Sequence, residues 1–261
     1  MVSRGISQLE QLGRFVDFVA RTLRSIPRAL LGRLGEVIWQ FEQVATKSLP
    51  IVLGAGLSVG LVTWFQTHRL LLANGAESAL PSFLAVAVVV EIGPVLAGLL
   101  VASRMGAGLA AELGSMHLNE EIEARIVLGT DPTESLVAPR AIACALAVPL
   151  LTVIIDAAAL VGAMTAEGTA GKLSPVLFWR DSLVFLRLSD VIPATLKTAI
   201  FGLLVGMIGC WTGLNAERST EAVGRAATRG VVRATLAVFA ANVLLVPCIQ
   251  LATDALGYGA L

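Results

Sequence analysis

Residues 141–165, AIACALAVPLLTVIIDAAALVGAMT, contain a single charged side chain, that of Asp156. A helix of about 20 apolar residues is long enough to cross a hydrocarbon core of about 30 Å. Pro149 and Gly162 lie inside the segment, but spanning helices tolerate both residue types better than soluble helices do. We therefore predict a membrane-spanning helix here.

Four further apolar segments of similar length accompany this one, at about 49–68, 81–102, 191–214 and 232–256. The composition agrees with them, because hydrophobic residues make up 56% of the 261 positions and charged residues only 15%. Soluble domains carry about 25% charged residues. We predict an all-α integral membrane protein in which residues 49–261 form one domain with five transmembrane helices.

Residues 1–48 are predicted to form a separate N-terminal region. From about residue 6 to residue 34 apolar residues recur at helical spacing, and arginines are interleaved with them: Arg14, Arg21, Arg24 and Arg28. This pattern is typical of a basic amphipathic helix that lies at the membrane interface. A helix packed on a soluble partner is the alternative. We expect no cleaved signal peptide, because the first residues lack a continuous apolar run.

The distribution of basic residues predicts the orientation. With five spans the termini lie on opposite sides, and fourteen of the nineteen Lys and Arg residues would share the side of the N-terminus. Cytoplasmic segments carry the excess of Lys and Arg. The sequence therefore predicts N-in and C-out, and the basic N-terminal end reflects topology rather than nucleic-acid binding.

The connection between spans two and three, residues 103–140, is predicted to be a helical cytoplasmic loop. Asn119 precedes three acidic residues, Glu120, Glu121 and Glu123, which indicates a helix with an N-cap and acid in its first turn. Asp131-Pro132-Thr133-Glu134 indicates a second helix start, with Asp at the N-cap and Pro at N1. Such a loop could dock a partner, or its capped helices could merely close the connection.

Three ionisable residues, Glu91, Asp156 and Lys197, fall inside predicted spans. A charge there costs at least about 2.5 kcal/mol on insertion scales, so each should face a partner, a cavity or a substrate. They could line a path for a lipid headgroup or an ion, or an acid could simply pair with Lys197. Glu91 is the strongest candidate for a functional role, because Gly93 and Pro94 follow it and allow a kink.

Small residues inside the spans indicate helix packing rather than a particular function. Gly56 and Gly60, and Gly202 and Gly206, have the spacing that lets two helices approach closely. The three cysteines are far apart in apolar segments and are expected to be small buried thiols: Cys144, Cys210 and Cys248. We expect neither a redox pair nor a metal site.

Sequence motifs give little support to an enzyme. Gly171-Lys172 resembles the end of a P-loop, but Leu173 stands where Ser or Thr is required. If ATP is used, another chain must bind it. His68 and His117 are isolated, and neither a GxSxG nor an HExxH motif occurs, so we expect no catalytic residues and no cofactor on this chain.

The central part of the chain contains the segments EIGPVLAGLLVASR (91–104), AAELGSM (110–116), EEIEA (120–124), LG (128–129), DP (131–132) and VAPR (137–140). In these segments it resembles the MlaE/YrbE permease family of MCE-linked ABC transporters. Outside that region SLPI (48–51), with Gly60 and Gln66, and ATRGVV (227–232) are also similar. The resemblance covers most of the chain in consistent order. One departure is Val90, since relatives can carry Arg immediately before the motif's Glu.

The resemblance implies a homodimer of five-span subunits with an N-terminal interfacial helix. It also implies ABC ATPase subunits on the cytoplasmic side, which would bind ATP and Mg²⁺, and an MCE-domain lipid-binding protein on the outer side. The implied substrate is phospholipid or a related lipid held between the subunits. A bacterial inner membrane is the expected location, since no plastid transit peptide is visible.

Residue roles are also implied by the resemblance. Gln66, Leu70 and Glu91 are similar to positions that line the family's lipid cavity. The intramembrane charges Asp156 and Lys197 are further candidates for the lining of that cavity. Coupling to the ATPase is expected at a second set, which is Glu112, Glu120, Glu121, Ile122, Glu123 and Ala124.

Two other functions are compatible with the residues. The first is a secondary carrier in which Glu91, Asp156 and Lys197 form a proton or ion relay, although no internally repeated halves are visible. The second is a scaffold that anchors a lipid-handling complex, against which the intramembrane charges argue.

Overall fold

The computed structural model of the protein describes residues 2–170 and 174–255, and all regular structure within them is helical. The predicted all-α class is confirmed. Residues 171–173, where the P-loop-like Gly171-Lys172-Leu173 lies, and residue 256, the end of the fifth predicted span, fall outside the described residues.

The described residues form nine α-helices, which are α1 (Val2–Gly32), α2 (Leu34–Ala73), α3 (Leu80–Val86), α4 (Gly93–Leu118), α5 (Glu121–Val127), α6 (Ala138–Ala170), α7 (Pro175–Val184), α8 (Leu188–Leu214) and α9 (Thr220–Ala255). A 3₁₀ turn, Glu77–Ala79, precedes α3. Two π-helical turns interrupt the α-helical pattern: Ala87–Ile92 joins α3 to α4, and Thr133–Val137 leads into α6.

Five helical stretches of the described chain are long and apolar enough to cross a membrane: Leu34–Ala73, Glu77–Leu118, Thr133–Thr169, Leu188–Leu214 and Thr220–Leu251. They coincide with the five predicted spans, so the number of spans is confirmed. Most of the helices are longer than predicted, because hydropathy locates only the apolar part of a helix whose polar ends continue beyond it. The N-in orientation and the interfacial position of α1 stay predictions.

The chain forms two compact units, and the first comprises the described residues of Met1–Val44, Val101–Leu146 and Gly202–Ala237. In this unit α1 packs Phe15 and Phe18 against Trp211, with ring centroids 5.7 and 5.0 Å apart. A buried cluster joins α1, α2 and α6 through Ala29, Val37, Ala138 and Ile142.

The second unit comprises the described residues of Ala45–Leu100, Ala147–Phe201 and Val238–Leu261. Its core is built around large buried side chains from α2, α3 and α7, among them Trp64, Leu84 and Phe178. Small residues of α6 complete that core, which lets the helix backbones approach one another.

The glycine pairs pack as predicted. In the second unit a Cβ on Gly60 would collide with the backbone carbonyl of Ala159. In the first unit a Cβ on Gly202 would collide with the carbonyl of Cys144. The prediction that all three cysteines are buried is wrong for Cys248, which is exposed on α9.

The loop predicted over residues 103–140 is mostly helix. α4 continues to Leu118, and α5 begins at Glu121 rather than after an Asn119 cap. Glu120 occupies the N-cap position with a left-handed backbone, φ 61°, and makes no side-chain cap. The second predicted start is confirmed, because the Asp131 carboxylate accepts a hydrogen bond of 2.8 Å from the backbone N–H of Thr133.

Candidate functional site

The carboxylate of Glu91 and the ammonium of Lys197 form an ion pair in the second unit. Lys197 Nζ lies 3.1 Å from Glu91 Oε2 and donates a second hydrogen bond of 3.1 Å to the backbone carbonyl of Val90. The Lys197 side chain is 2% exposed, whereas that of Glu91 is 44% exposed. The lysine is therefore enclosed, while its acidic partner remains accessible.

Local sequence explains why the Val90 carbonyl is a partner for this lysine. Pro94 has no N–H, so it cannot donate the helical hydrogen bond from residue 94 back to residue 90. The π-helical turn Ala87–Ile92 widens the helix at the same place. π-helical turns are frequent at functional sites. The kink expected from Gly93 and Pro94 thus takes the form of a π-helical turn that carries Glu91.

A cavity of about 220 Å³ opens beside the ion pair. Its polar lining residues besides the pair are Ser189, Asp190 and Gln250. The remaining lining residues are apolar: Val86, Val90, Pro193, Ala194, Val246 and Ile249. Mostly apolar walls with a few placed polar groups are typical of ligand sites. This combination suits an amphipathic molecule with a charged head.

Asp156 does not join the ion pair, although the sequence left that pairing open. It is buried, and its carboxylate fills the space that a Cβ on Gly93 would need. Its Oδ1 atom has no hydrogen-bond partner among the described residues. A buried polar atom without a partner is uncommon in a folded protein. Asp156 thus lies against the end of the π-helical turn but is not part of the cavity lining.

The structure does not bring Gln66 and Leu70 to this cavity. Both are exposed on α2, and neither is among the lining residues. Their proposed role in a lipid path stays a prediction.

A second buried polar pair was missed by the sequence analysis. Trp64 Nε1 donates a hydrogen bond of 2.7 Å to Glu167 Oε2, and both residues are buried in the second unit. Glu167 lies just beyond the predicted third span, so it was not recognised as an intramembrane charge. Apolar and small residues lie on both sides of position 165. This pattern could have indicated that the helix continues past residue 165 and includes Glu167.

The residues expected to couple to an ATPase lie in the first unit. Arg140 donates a hydrogen bond of 2.5 Å to the half-exposed Glu112. Arg218 contacts the carboxylates of both Glu120 and Glu123. A backbone hydrogen bond and then Arg218 hold the pKa of the Glu123 carboxyl below its usual range. These contacts fix the start of α5 against the segment that follows α8.

The other end of α5 presents an apolar surface. Ile126, Val127 and Leu128 are 56%, 87% and 81% exposed, while Ile122 is buried. Gly129 follows with φ 78° and ends the helix in the left-handed conformation that favours glycine. Glu121 and Ala124 are also exposed. This apolar tip was not identified from the sequence, since Ile-Val-Leu reads equally well as buried helix.

Comparison with known proteins places the chain in a family. Residues 37–247 match the family described as Permease MlaE. A probable ABC transporter permease of Synechocystis sp. is 32% identical over 218 residues, 83% of each chain. One of Rickettsia felis is 31% identical over 242 residues, 93% of each chain. The intermembrane phospholipid transport system permease protein MlaE of Haemophilus influenzae is 28% identical over 210 residues, 80% of each chain. The chain belongs to the MlaE permease family and is a multi-pass membrane permease of an ABC transporter.

Proposed function

We propose that this permease moves phospholipid and that the cavity beside Glu91 and Lys197 receives the lipid headgroup. The observation that carries the proposal is a charged pair, partly exposed, at the edge of a cavity with otherwise mostly apolar walls. The name of the Haemophilus influenzae relative, which states phospholipid transport, supports the same substrate class.

The chemistry of the cavity matches that of a phospholipid headgroup. The ammonium of Lys197 can donate hydrogen bonds to a phosphate, since ammonium groups act as point charges for phosphate. Glu91 and Asp190 can accept from an amine or hydroxyl on the same headgroup. Val86, Val246 and Ile249 would contact the start of the acyl chains. A lipid phosphate would replace Glu91 as the partner of Lys197, so the ion pair opens as the lipid enters.

The energy for transport comes, in this proposal, from a partner. ABC ATPase subunits bind ATP and Mg²⁺, and they dock on α5 through its apolar tip, Ile126 to Leu128, and the exposed Glu121. Closure of the ATPases pushes on α5, which Arg218 and Glu123 hold in place. The permease acts as a homodimer in a bacterial inner membrane, catalyses no reaction itself, and exchanges lipid with an MCE-domain protein on the outer side.

The proposal is tested by transport in reconstituted liposomes. The permease is co-purified with its ATPase, mass spectrometry verifies the subunits, and ATP-dependent lipid transfer is measured for the double variant Glu91→Gln/Lys197→Met. We expect the variant to assemble but to lose at least about tenfold in rate, because charge-assisted contacts to the headgroup are removed.

The matched control is Asp17→Asn/Arg21→Gln, which removes an exposed ion pair with the same loss of two charges. It should transport like the parent protein. Unchanged transport by the Glu91/Lys197 variant would show that the pair is only structural. Transport driven by an ion gradient without ATP would instead support a secondary carrier.

A further inference from the structure

The first unit contains a second cavity, of about 280 Å³, whose lining is unusually basic. Four arginines from α1 and α9 meet there: Arg14, Arg225, Arg229 and Arg233. Glu217 is the acidic residue of the lining. The sequence analysis used these arginines to predict topology but did not bring them together in one site. The fold brings Arg14 together with arginines more than two hundred positions away in the chain.

Two of the four guanidinium groups already have acidic partners. Arg14 forms an ion pair of 2.5 Å with Glu10. Arg225 contacts Glu217 at 3.2 Å and Glu221 at 3.3 Å.

The other two arginines have no ion pair among the residues that the structure describes. Arg229 and Arg233 are separated by one helical turn on α9, so their side chains share one face of the helix. Together they place two unneutralised positive charges on one wall of the cavity. A site of this charge attracts anions.

The geometry favours a phosphate group as that anion. Guanidinium groups present a planar fork of N–H donors that matches the oxygens of phosphate, and two such forks can bind one group. Trp211 and Asn215 also line the cavity. Tryptophan is enriched where a membrane meets water. The volume of about 280 Å³ lies just below the roughly 300–1,000 Å³ of typical ligand pockets, so a headgroup suits it better than a whole lipid.

Basic pockets between membrane helices on the cytoplasmic side bind anionic lipid headgroups. The orientation predicted from the basic residues places the start of α9 on that side.

We propose that this arginine-lined cavity binds the phosphate group of an anionic phospholipid or of free phosphate, with Arg229 and Arg233 as its principal ligands. The proposal goes beyond lipid transport, because these residues belong to the first unit, whereas the cavity beside Glu91 belongs to the second. Because Arg14 of α1 lines the same cavity, such a ligand would bridge α1 and α9. The site thus provides a means for the composition of the surrounding membrane to stabilise the permease.

The test measures lipid binding to the full chain in neutral detergent. Native mass spectrometry compares phosphatidylglycerol with phosphatidylcholine of identical acyl chains, for the parent protein and for Arg229→Gln/Arg233→Gln. We expect the variant to lose at least about tenfold in phosphatidylglycerol affinity and nothing in phosphatidylcholine affinity, since only the charge-assisted hydrogen bonds are removed. Should the double variant aggregate, the single change Arg229→Gln is measured in its place.

The matched control is Arg24→Gln/Arg28→Gln. These arginines are also exposed and one helical turn apart, but they do not line the cavity. The control should retain phosphatidylglycerol binding. An equal loss in the control would reduce the effect to bulk charge and overturn the proposal.

A second arm identifies the source of the phosphate. The thermal midpoint is measured with inorganic phosphate and with chloride at equal ionic strength. A rise with phosphate that requires Arg229 and Arg233 assigns the site to free phosphate, whereas arginine-dependent lipid binding without that rise assigns it to a lipid headgroup. If binding of neither ligand depends on these arginines, the proposal is wrong.

Discussion

At the scale of single residues, Lys197 is the enclosed member of the ion pair in the candidate site. Its ammonium is enclosed, and its partners are the carboxylate of Glu91 and a carbonyl freed by Pro94. A buried charge is tolerated when it is paired and becomes costly when its partner is removed. The consequences of changing Glu91 should therefore depend on whether Lys197 is still present.

We expect Glu91→Gln to lower stability more than Glu91→Gln/Lys197→Met does. The single change leaves an ammonium without its carboxylate, at a cost of up to about 3 kcal/mol, because a fully buried pair costs about 3–5 kcal/mol to break and Glu91 is partly exposed. The double change removes both charges. Thermal unfolding in detergent, monitored by the loss of monodisperse protein, gives the comparison.

The single change Lys197→Met is the control for this pair. It leaves the half-exposed carboxylate free to reach water or a ligand, so its cost should be smaller than that of Glu91→Gln. Equal stability of all three variants would mean that the ion pair contributes nothing to the fold.

Val90 is the departure from the family pattern that was noted in the sequence. Relatives can carry a basic residue there, and its absence put a positive charge at this point in doubt. The structure shows that Lys197, from α8, supplies the positive charge beside Glu91 instead.

At the scale of elements, α2 and α6 approach closely enough for their backbones to touch. Gly56 and Gly60 on α2 face Ala158 and Ala159 on α6, and Gly162 on α6 faces the carbonyl of Leu57. Water does not drive helices together within a bilayer, so close van der Waals packing has to do so. Glycine is required at these positions because any Cβ would separate the backbones.

We expect Gly60→Ala to destabilise the protein by about 1–3 kcal/mol, the usual cost of overpacking a close contact. The added methyl group would collide with the carbonyl of Ala159, which belongs to helix backbone and cannot move aside alone. The thermal midpoint in detergent measures the effect.

Gly54→Ala is the matched control on the same helix. A Cβ there meets no atom within 4 Å, and alanine has a higher helix propensity than glycine by about 1 kcal/mol. This variant should be neutral or slightly stabilised. A Gly60 variant as stable as the Gly54 variant would contradict the packing described here.

At the scale of the whole molecule, five spanning stretches require that the termini lie on opposite sides of the membrane. The positive-inside rule predicts that the N-terminus is the cytoplasmic one. The arginines of α1, of the α5 region and of the start of α9 all belong to segments on that predicted side.

We expect a C-terminal alkaline phosphatase fusion to be active in a bacterial host and a C-terminal fluorescent protein fusion to be dark, since both report an outer location. The control is the same pair of fusions placed after Leu214, the end of α8. Four spans would return that point to the cytoplasm, so the two signals should be reversed. Identical signals at both points would contradict the proposed topology.

The fold class, the number of spans and the close packing at two glycine pairs were predicted correctly from the sequence. The position of Glu91 next to a distorted helix was also predictable, because Gly93 and Pro94 are local signals. Helix ends were less predictable. Asn119 was expected to cap α5, but Glu120 takes the left-handed position before it, and its carboxylate contacts Arg218 in the segment between α8 and α9.

Partners of charged groups could not be predicted, because pairing depends on contacts between residues distant in the chain. Lys197 could have paired with either acid, and the fold gives it Glu91 while Asp156 packs against Gly93. The hydrogen bond between Trp64 and Glu167 joins residues of α2 and α6 and has no local signature.

Composition and periodicity alone determined that this chain forms five apolar helices in a membrane, because the bilayer fixes the length and polarity of whatever crosses it. Only the tertiary structure decided which charges meet. It alone assembled the cavity beside Glu91 and Lys197 and the arginines of α1 and α9 around another. The physical reason is that hydrophobic burial in lipid depends on each segment by itself, whereas an ion pair or a cavity exists only between segments.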